Sequence, residues 1–242
     1  MNEMEIPFFR RRINVPPYCS VNETNSCRQS LAHGLTVSLV SAALFGAIAD
    51  AVFRSAWMLP RDVRIGSWFH SYQSPVLTQV MMLVSLFGDP RLLFVSSLGL
   101  AGVLLYLSFW RELFTAGVIL AGGAALHLIL KSAFQRARPD GDWLTVVQGY
   151  SFPSGHALGA VLFYGTLAYL GTRLCRMPGD RRVRRYLFVS VCAAVVFWVG
   201  VSRVYLGVHF LSDVLAGWSA GAFWLSLCLT AVHRLWPRSC RM

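Results

Sequence analysis

Apolar residues in this chain gather into long blocks separated by short polar joints, not into the one-sided stripes of a soluble bundle. Six blocks come near the ~20 residues a helix needs to cross a bilayer: 35–57, 92–110, 113–134, 155–174, 186–203 and 212–235. A further stretch, 75–87, is apolar but short, and Gly88-Asp89-Pro90 closes it. It is expected to be an interfacial or partly inserted helix. The pattern predicts an all-α, polytopic membrane helical bundle of about six transmembrane helices plus one short interfacial helix. Residues 1–30 read as a polar tail and residues 31–242 as a single membrane domain. Gly155-x-x-x-Gly159 and Gly217-x-x-x-Gly221 are expected to let helices pack closely.

Composition agrees with a membrane protein. The 242 residues are 55% hydrophobic and 14% charged, against about 25% charged in soluble domains. The net charge of +11 does not point to nucleic acid, because the basic residues sit in short joints between apolar blocks and no zinc-finger spacing occurs. They orient the bundle instead. Arg173, Arg176, Arg181, Arg182, Arg184 and Arg185 crowd the joint between the fourth and fifth blocks, which the positive-inside bias puts in the cytoplasm. With six spans, Arg10–Arg12 and the C-terminal Arg234, Arg238 and Arg241 share that side, so the tail is expected to be cytoplasmic. Segments 58–91, 135–154 and 203–212 fall on the opposite side, where Arg61, Arg64 and Arg91 run against the bias. If 75–87 spanned, the N-terminus would flip, but the last two segments would still lie opposite the arginine joint. Asp50 and Arg54, four positions apart at a helix end, read as a local ion pair. No apolar run follows the basic cluster directly, so the N-terminus does not read as a signal peptide. The six cysteines show no CxxC and no metal-ligand spacing. Cys192 and Cys228 read as core residues, and Cys19 and Cys27 would pair only in an oxidising compartment.

Three polar stretches converge on the side opposite the arginine joint. The first holds Lys131, Arg136 and Arg138 before Pro139. Lys131, the sole lysine in the chain, and Arg138 read either as anchors snorkelling at a helix end or as phosphate ligands, a mobile point charge beside a planar fork. The second is Pro153-Ser154-Gly155-His156. It reads as a turn with Ser154 as N-cap, or as an anion site. In the second case helix N-terminal N–H groups face the anion, Gly155 allows close approach and His156 donates a proton. The third carries Arg203, His209 and Asp213. His209 and Asp213 are four positions apart, so on a helix they share a face. A carboxylate there can fix the imidazole tautomer and leave the other ring nitrogen as nucleophile or base. A structural His–Asp hydrogen bond is the plainer alternative. His127, one turn before Lys131, is a weaker candidate for supporting it, and His33, His70 and His233 lie in flanks.

Taken together, Lys131 with Arg138-Pro139, then Pro153 to His156, then Ser202-Arg203, His209 and Asp213, resemble the three-part signature of the type 2 phosphatidic acid phosphatase superfamily. The resemblance covers about 35–235 and leaves the first 30 residues outside. It implies a metal-independent phosphatase with no cofactor. His209 is then the nucleophile that becomes a phosphohistidine, Asp213 orients it, and His156 protonates the leaving oxygen. Lys131, Arg138, Ser154, Gly155 and Arg203 bind the phosphoryl group. The expected partners are a membrane lipid phosphate substrate and bilayer lipids, and no protein partner is indicated. The spans favour the membrane branch, in a bacterial inner membrane with the site facing the periplasm. Candidate substrates are undecaprenyl diphosphate, phosphatidylglycerophosphate, phosphatidic acid, diacylglycerol diphosphate and a lipid A phosphate, with a slight lean to the first. A lipid-to-lipid phosphotransferase is the alternative, and a transporter, which would need charges near the bilayer midplane, stands behind both.

Overall fold

The computed structural model describes residues 21–139, 144–145, 149–174 and 181–235, with side chains described from residue 31 onward, Arg181 excepted. Arg10–Arg12, Cys19, Cys175, Arg176, Arg238, Cys240, Arg241 and the side chain of Cys27 lie outside that description. The described residues form eight helices: α1 (Val21–Arg54), α2 (Met58–Ser71), α3 (Pro75–Leu86), α4 (Pro90–Tyr106), α5 (Trp110–Phe134), α6 (Gly155–Leu174), α7 (Arg181–Tyr205) and α8 (Leu211–Leu235). Five stretches are long and apolar enough to cross a membrane: Leu31–Arg54 in α1, α5, α6, Arg182–Tyr205 in α7, and α8. A sixth is counted if α3 and α4, bent by 41° at a short break, are taken as one span. The chain is an all-helical integral membrane protein.

Two elements differ in detail from the hydropathy pattern. The segment after the first span contains a helix, α2, that the block pattern does not single out, because its apolar and polar residues alternate. Its Asp62 is buried while Arg61 and Arg64 are exposed, with the Arg61 guanidinium 4.4 Å over the Trp57 ring. The short stretch 75–87 is helix α3, lying on the end of α7, where Met81 packs with Tyr205, Leu206 and Val208. Local chemistry sets both of its boundaries. Ser74 caps α3 by accepting from the Leu77 N–H at 3.3 Å, and Asp89 caps α4 by accepting from Arg91 N at 2.8 Å. A proline stands at the first turn of each helix, where its missing N–H has no partner to lose.

Helix α8 is the axis of the bundle. One side packs against α1, with Ser38 and Ser226 hydroxyls 2.7 Å apart, and another against α6. Gly217 is what allows the second contact. A Cβ there would lie 2.6 Å from the Ser154 carbonyl oxygen, so only glycine lets α8 lie this close to the turn that starts α6. The Phe152–Pro153 bond in that turn is cis. Phe152 is fully buried among Phe45, Phe53 and Phe134, which fastens the turn to α1 and to the end of α5. The expected Asp50–Arg54 pair forms at 3.3 Å and is exposed.

Candidate active site

The end of α5, the start of α6, the end of α7 and the start of α8 meet at one end of the bundle, and every candidate residue lies there. α5 stops at Gln135, whose left-handed backbone (φ 41°) turns the chain toward Arg136 and Arg138. α7 ends two residues past Arg203, and a turn through Gly207 carries the chain to His209. His209 therefore precedes α8 rather than sharing a helical face with Asp213. Asp213 stands in the first turn of α8, and its Oδ2 accepts the Phe210 N–H at 2.9 Å, capping its own helix.

Asp213 is fully buried and richly held. Oδ1 accepts from Arg136 Nη1 at 2.5 Å, and Oδ2 accepts from the Ser151 hydroxyl and lies 3.6 Å from His209 Nδ1. Ser151 Oγ also stands 3.3 Å from His209 Nδ1. The other ring nitrogen, Nε2, faces Arg138 Nη1 at 3.5 Å. Arginine only donates, so this geometry favours a proton on Nδ1 and a lone pair on Nε2. Burial pushes the His209 imidazole down to about pKa 4 against the opposing pull of Asp213, so the ring is neutral near pH 7. Burial also lowers Arg138, which Asp213 partly offsets. Arg138 donates to the Val208 carbonyl at 2.7 Å and to the Gly149 carbonyl at 2.9 Å, so its guanidinium is fixed beside the ring.

The opposite wall is less satisfied. Arg203 is 3% exposed and donates from one nitrogen to Ser85 Oγ at 2.6 Å. Its Nε and Nη2 are buried with no hydrogen-bond partner among the described residues, and so is Ser154 Oγ. A cavity of about 220 Å³ opens here, lined by Ser85, Asp89, Thr145, His156 and Arg203 among others. His156 is within electrostatic reach of Arg203, His209, Lys131 and Arg138. The Lys131 ammonium makes no hydrogen bond among the described residues, and its charge reaches Arg138 and His156. Such a set can do one thing well: hold a compact anion with several oxygens against a neutral imidazole lone pair.

The structure brings all eight sequence-level candidates to one place: Lys131, Arg138, Ser154, Gly155, His156, Arg203, His209 and Asp213. Ser154 differs from the capping reading, since its hydroxyl makes no capping bond. Its N–H donates to the Asp213 carbonyl at 3.0 Å, which ties the α6 turn to α8. Gly155 lies against the His127 ring, where a Cβ would come within 2.8 Å. Sequence reasoning missed Ser151, Ser85, Asp89 and Asp62. It placed Arg136 in the first cluster without a role. Arg136 had a visible signal, two positions before Arg138. Asp62 had none, because α2 is distant in sequence and unremarkable in hydropathy.

The PAP2 superfamily model matches residues 112–237. Phosphatidylglycerophosphatase B of Bacillus subtilis (strain 168) is 32% identical over 184 residues, covering 75% of this chain and 88% of the relative. Lipid A 1-phosphatase of Rhizobium etli is 36% identical over 138 residues, covering 53% of this chain and 52% of the relative. The crystal structure of a transmembrane PAP2-type phosphatidylglycerolphosphate phosphatase from Bacillus subtilis matches with TM-score 0.75 at 26% identity, over 84% of this chain and 98% of that one. LpxE of Aquifex aeolicus matches with TM-score 0.53 at 22% identity, over 69% and 93%, a likeness of fold.

Proposed function

Since the chain belongs to the PAP2 superfamily, we propose that it is a membrane phosphatase that removes the phosphate of a lipid headgroup through a phosphohistidine on His209, without a metal. The observation that carries this reading is the His209 ring. Its Nδ1 side is turned to Asp213 and Ser151, and its Nε2 faces the Arg138 guanidinium. Nε2 attacks phosphorus as the P–O bond to the lipid breaks. Arg138, Arg203 and Lys131 take the phosphoryl oxygens, and the Ser154 hydroxyl and the Gly155 N–H complete the cradle. These cations supply the charge stabilisation that phosphoryl transfer chiefly needs. The leaving alkoxide takes a proton from His156, for which the phosphoryl anion is the counter-charge. His156 then accepts a proton from the water that cleaves the N–P bond.

Two observations support a lipid. The site lies at the ends of membrane-spanning helices, where a headgroup stands. An apolar groove of about 320 Å³ runs between α6 and α7, lined by Val161, Tyr164, Val196, Phe197 and Trp218 among others, and it offers a route for a hydrocarbon chain. Tyr164 Oη donates to the Phe87 carbonyl at 3.0 Å, at the break between α3 and α4 where the groove approaches the cavity. Among the candidates, the near-complete coverage of a relative named phosphatidylglycerophosphatase favours a phosphate monoester of a glycerophospholipid, ahead of the carrier diphosphate toward which the sequence leaned. Our reading keeps the bacterial inner membrane and a periplasmic site, because Arg173, Arg182, Arg184 and Arg185 stand at the opposite ends of α6 and α7 from the cavity.

The test is phosphate release by the purified protein in detergent with EDTA. The panel holds phosphatidylglycerophosphate, phosphatidic acid, undecaprenyl diphosphate and a lipid A 1-phosphate. Phosphate should be released without an acceptor lipid, fastest from the first. His209→Ala should lower the rate by about 10⁴-fold with an unchanged melting temperature. Activity retained in that variant would remove the nucleophile, and loss of activity in EDTA would remove the metal-free mechanism.

A further inference from the structure

Asp62 lies on α2, outside the residues matched by the family model, yet it reaches the heart of the site. Its Oδ2 accepts from Arg136 Nη2 at 2.9 Å, while Arg136 Nη1 donates to Asp213 Oδ1 and to Ser212 Oγ at 2.8 Å. Asp62 also accepts the Ser212 N–H at 3.1 Å and the Ser212 hydroxyl, so it caps α8 from a different helix. The Arg136 guanidinium lies 4.2 Å over the ring of Phe210, which is the neighbour of His209. Its carbonyl accepts the Ser151 N–H at 2.8 Å, and Ser151 in turn touches both His209 and Asp213. The side chains of Arg136, Asp62 and Asp213 are 9%, 3% and 0% exposed.

A buried ion pair is weak evidence for stability, because apolar residues of similar volume usually do as well. Here the three charges do something an apolar cluster cannot. One guanidinium fork grips two carboxylates at fixed distances, so Asp213 cannot turn about its own side chain. We propose that Asp62 and Arg136 are positioning residues: one buried pair that fixes the Asp213 carboxylate and, through it, the ring of His209. The proposal rests on the phosphatase reading for its catalytic meaning, but the coupling itself is a property of the folded chain. It also gives α2 a task, since displacing α2 releases Arg136, and with it the nucleophile.

The charges facing His209 and Asp213 set the signs. They are Asp62 from α2, Lys131 from α5, Arg136 and Arg138 from the α5–α6 connection, His156 from α6 and Arg203 from α7. Arg136→Gln removes a cation and leaves two carboxylates, so His209 should gain a proton more readily. Asp62→Asn keeps the size and the Ser212 hydrogen bond but leaves Arg136 facing Asp213 alone, so His209 should protonate no more readily than before. Two readouts separate the outcomes. The first is the titration of His209 by NMR of histidine-labelled protein in detergent, assigned by the signal lost in His209→Ala. The midpoint should rise in Arg136→Gln and stay at or below the wild-type value in Asp62→Asn. The second is phosphate release, where both variants should lose kcat by about tenfold with KM within twofold. Arg136→Lys, with one ammonium for two acceptors, should keep the titration and recover only part of kcat.

Should Arg136→Gln fail to fold, Asp62→Asn decides: an unchanged kcat, or a midpoint that rises, overturns the proposal. So does a fall in melting temperature with neither titration nor kcat affected, which is what a merely structural pair would give. If the wild-type chain releases no phosphate while the Arg136→Gln midpoint still rises, the coupling stands and the phosphatase reading falls.

Discussion

The two walls of the site are built on opposite plans. On the carboxylate wall, Asp213 and Asp62 each have several hydrogen-bond partners, and Arg136 is shared between them. On the cavity wall, Arg203 keeps two buried nitrogens without a partner among the described residues, and Ser154, two residues before the cavity-lining His156, keeps a buried hydroxyl in the same condition. An unmet buried polar group costs about 1–3 kcal/mol, so folding alone gives no reason to keep them. The saturated wall holds geometry. In the proposed reaction the unsatisfied wall supplies donors to the phosphoryl anion. His209 stands between them, with Nδ1 turned to one and Nε2 to the other.

The largest break in that contrast should come from Arg203. Replacing it with Met keeps an unbranched side chain and removes two orphaned donors. The rate of phosphate release should fall by about 10²–10³-fold, the usual loss when a charge-stabilising donor is removed. The melting temperature should change little, because the bond to Ser85 and the attraction to Asp89 are lost together with two buried donors that have no partner among the described residues. Asp213→Ala is the control on the other wall and should lower both rate and melting temperature, since it takes one of two carboxylates from Arg136 and leaves the Phe210 N–H and the Ser151 hydroxyl without their acceptor. If Arg203→Met melts as low as Asp213→Ala, the cavity wall is structural.

A smaller effect tests the placement of His209 between the walls. Its imidazole, held at about 4 by burial, loses its proton at a lower pH than an ordinary histidine at about 6.5. Because the folded value is depressed, the neutral ring, the nucleophile in the proposed mechanism, persists as pH falls from 7 and is lost only near 4. At pH 5.5 an ordinary histidine would be only about one-tenth neutral, whereas His209 should be almost wholly so. Phosphate release, corrected for ionisation of the lipid phosphate, should therefore change by less than about twofold between pH 7 and 5.5. A midpoint near 6.5 would mean that the ring is far wetter than this geometry allows.

The walls were not equally legible from sequence. The cations and His156 on the cavity side were legible, because charged or histidine side chains at the ends of apolar blocks stand out, whereas Ser85 and Asp89, which line the same cavity, were not. Lys131, Arg138, His156 and Arg203 all declare themselves that way. The carboxylate wall was half hidden. Asp213 was visible through its interval from His209, yet the interval was read as a helical face. The contact instead bridges a turn and a first helical turn, because α8 begins only at Leu211, two residues after His209. Ser151 looked like part of a turn, and Asp62 lies on an amphipathic helix whose burial only the packed bundle reveals. Five spans were legible because bilayer thickness sets their length, whereas block 92–110, expected to cross alone, is long enough only when α4 is joined to α3 across the 41° bend. The break between α3 and α4 was legible as Gly-Asp-Pro, but not that it would bring Gly88 against His156, where a Cβ would come within 3.3 Å.

The smallest expected effect contrasts two serines three residues apart. Ser154 stands two residues before the cavity-lining His156, and its hydroxyl has no partner among the described residues to lose. Ser154→Ala should therefore leave the melting temperature unchanged or slightly higher. It should weaken phosphate handling by about fivefold in kcat/KM, the worth of one hydrogen bond of roughly 1 kcal/mol. Ser151 belongs to the carboxylate wall, and its hydroxyl bonds Asp213 and meets His209 Nδ1. Ser151→Ala should lower the melting temperature and reduce kcat with KM unchanged, because it loosens the ring rather than the anion. Inorganic phosphate as a competitive inhibitor sharpens the distinction. It should bind about fivefold more weakly to Ser154→Ala and with unchanged affinity to Ser151→Ala. Equal effects of phosphate on the two variants would mean that the walls are not separate in function, whatever their difference in hydrogen bonding.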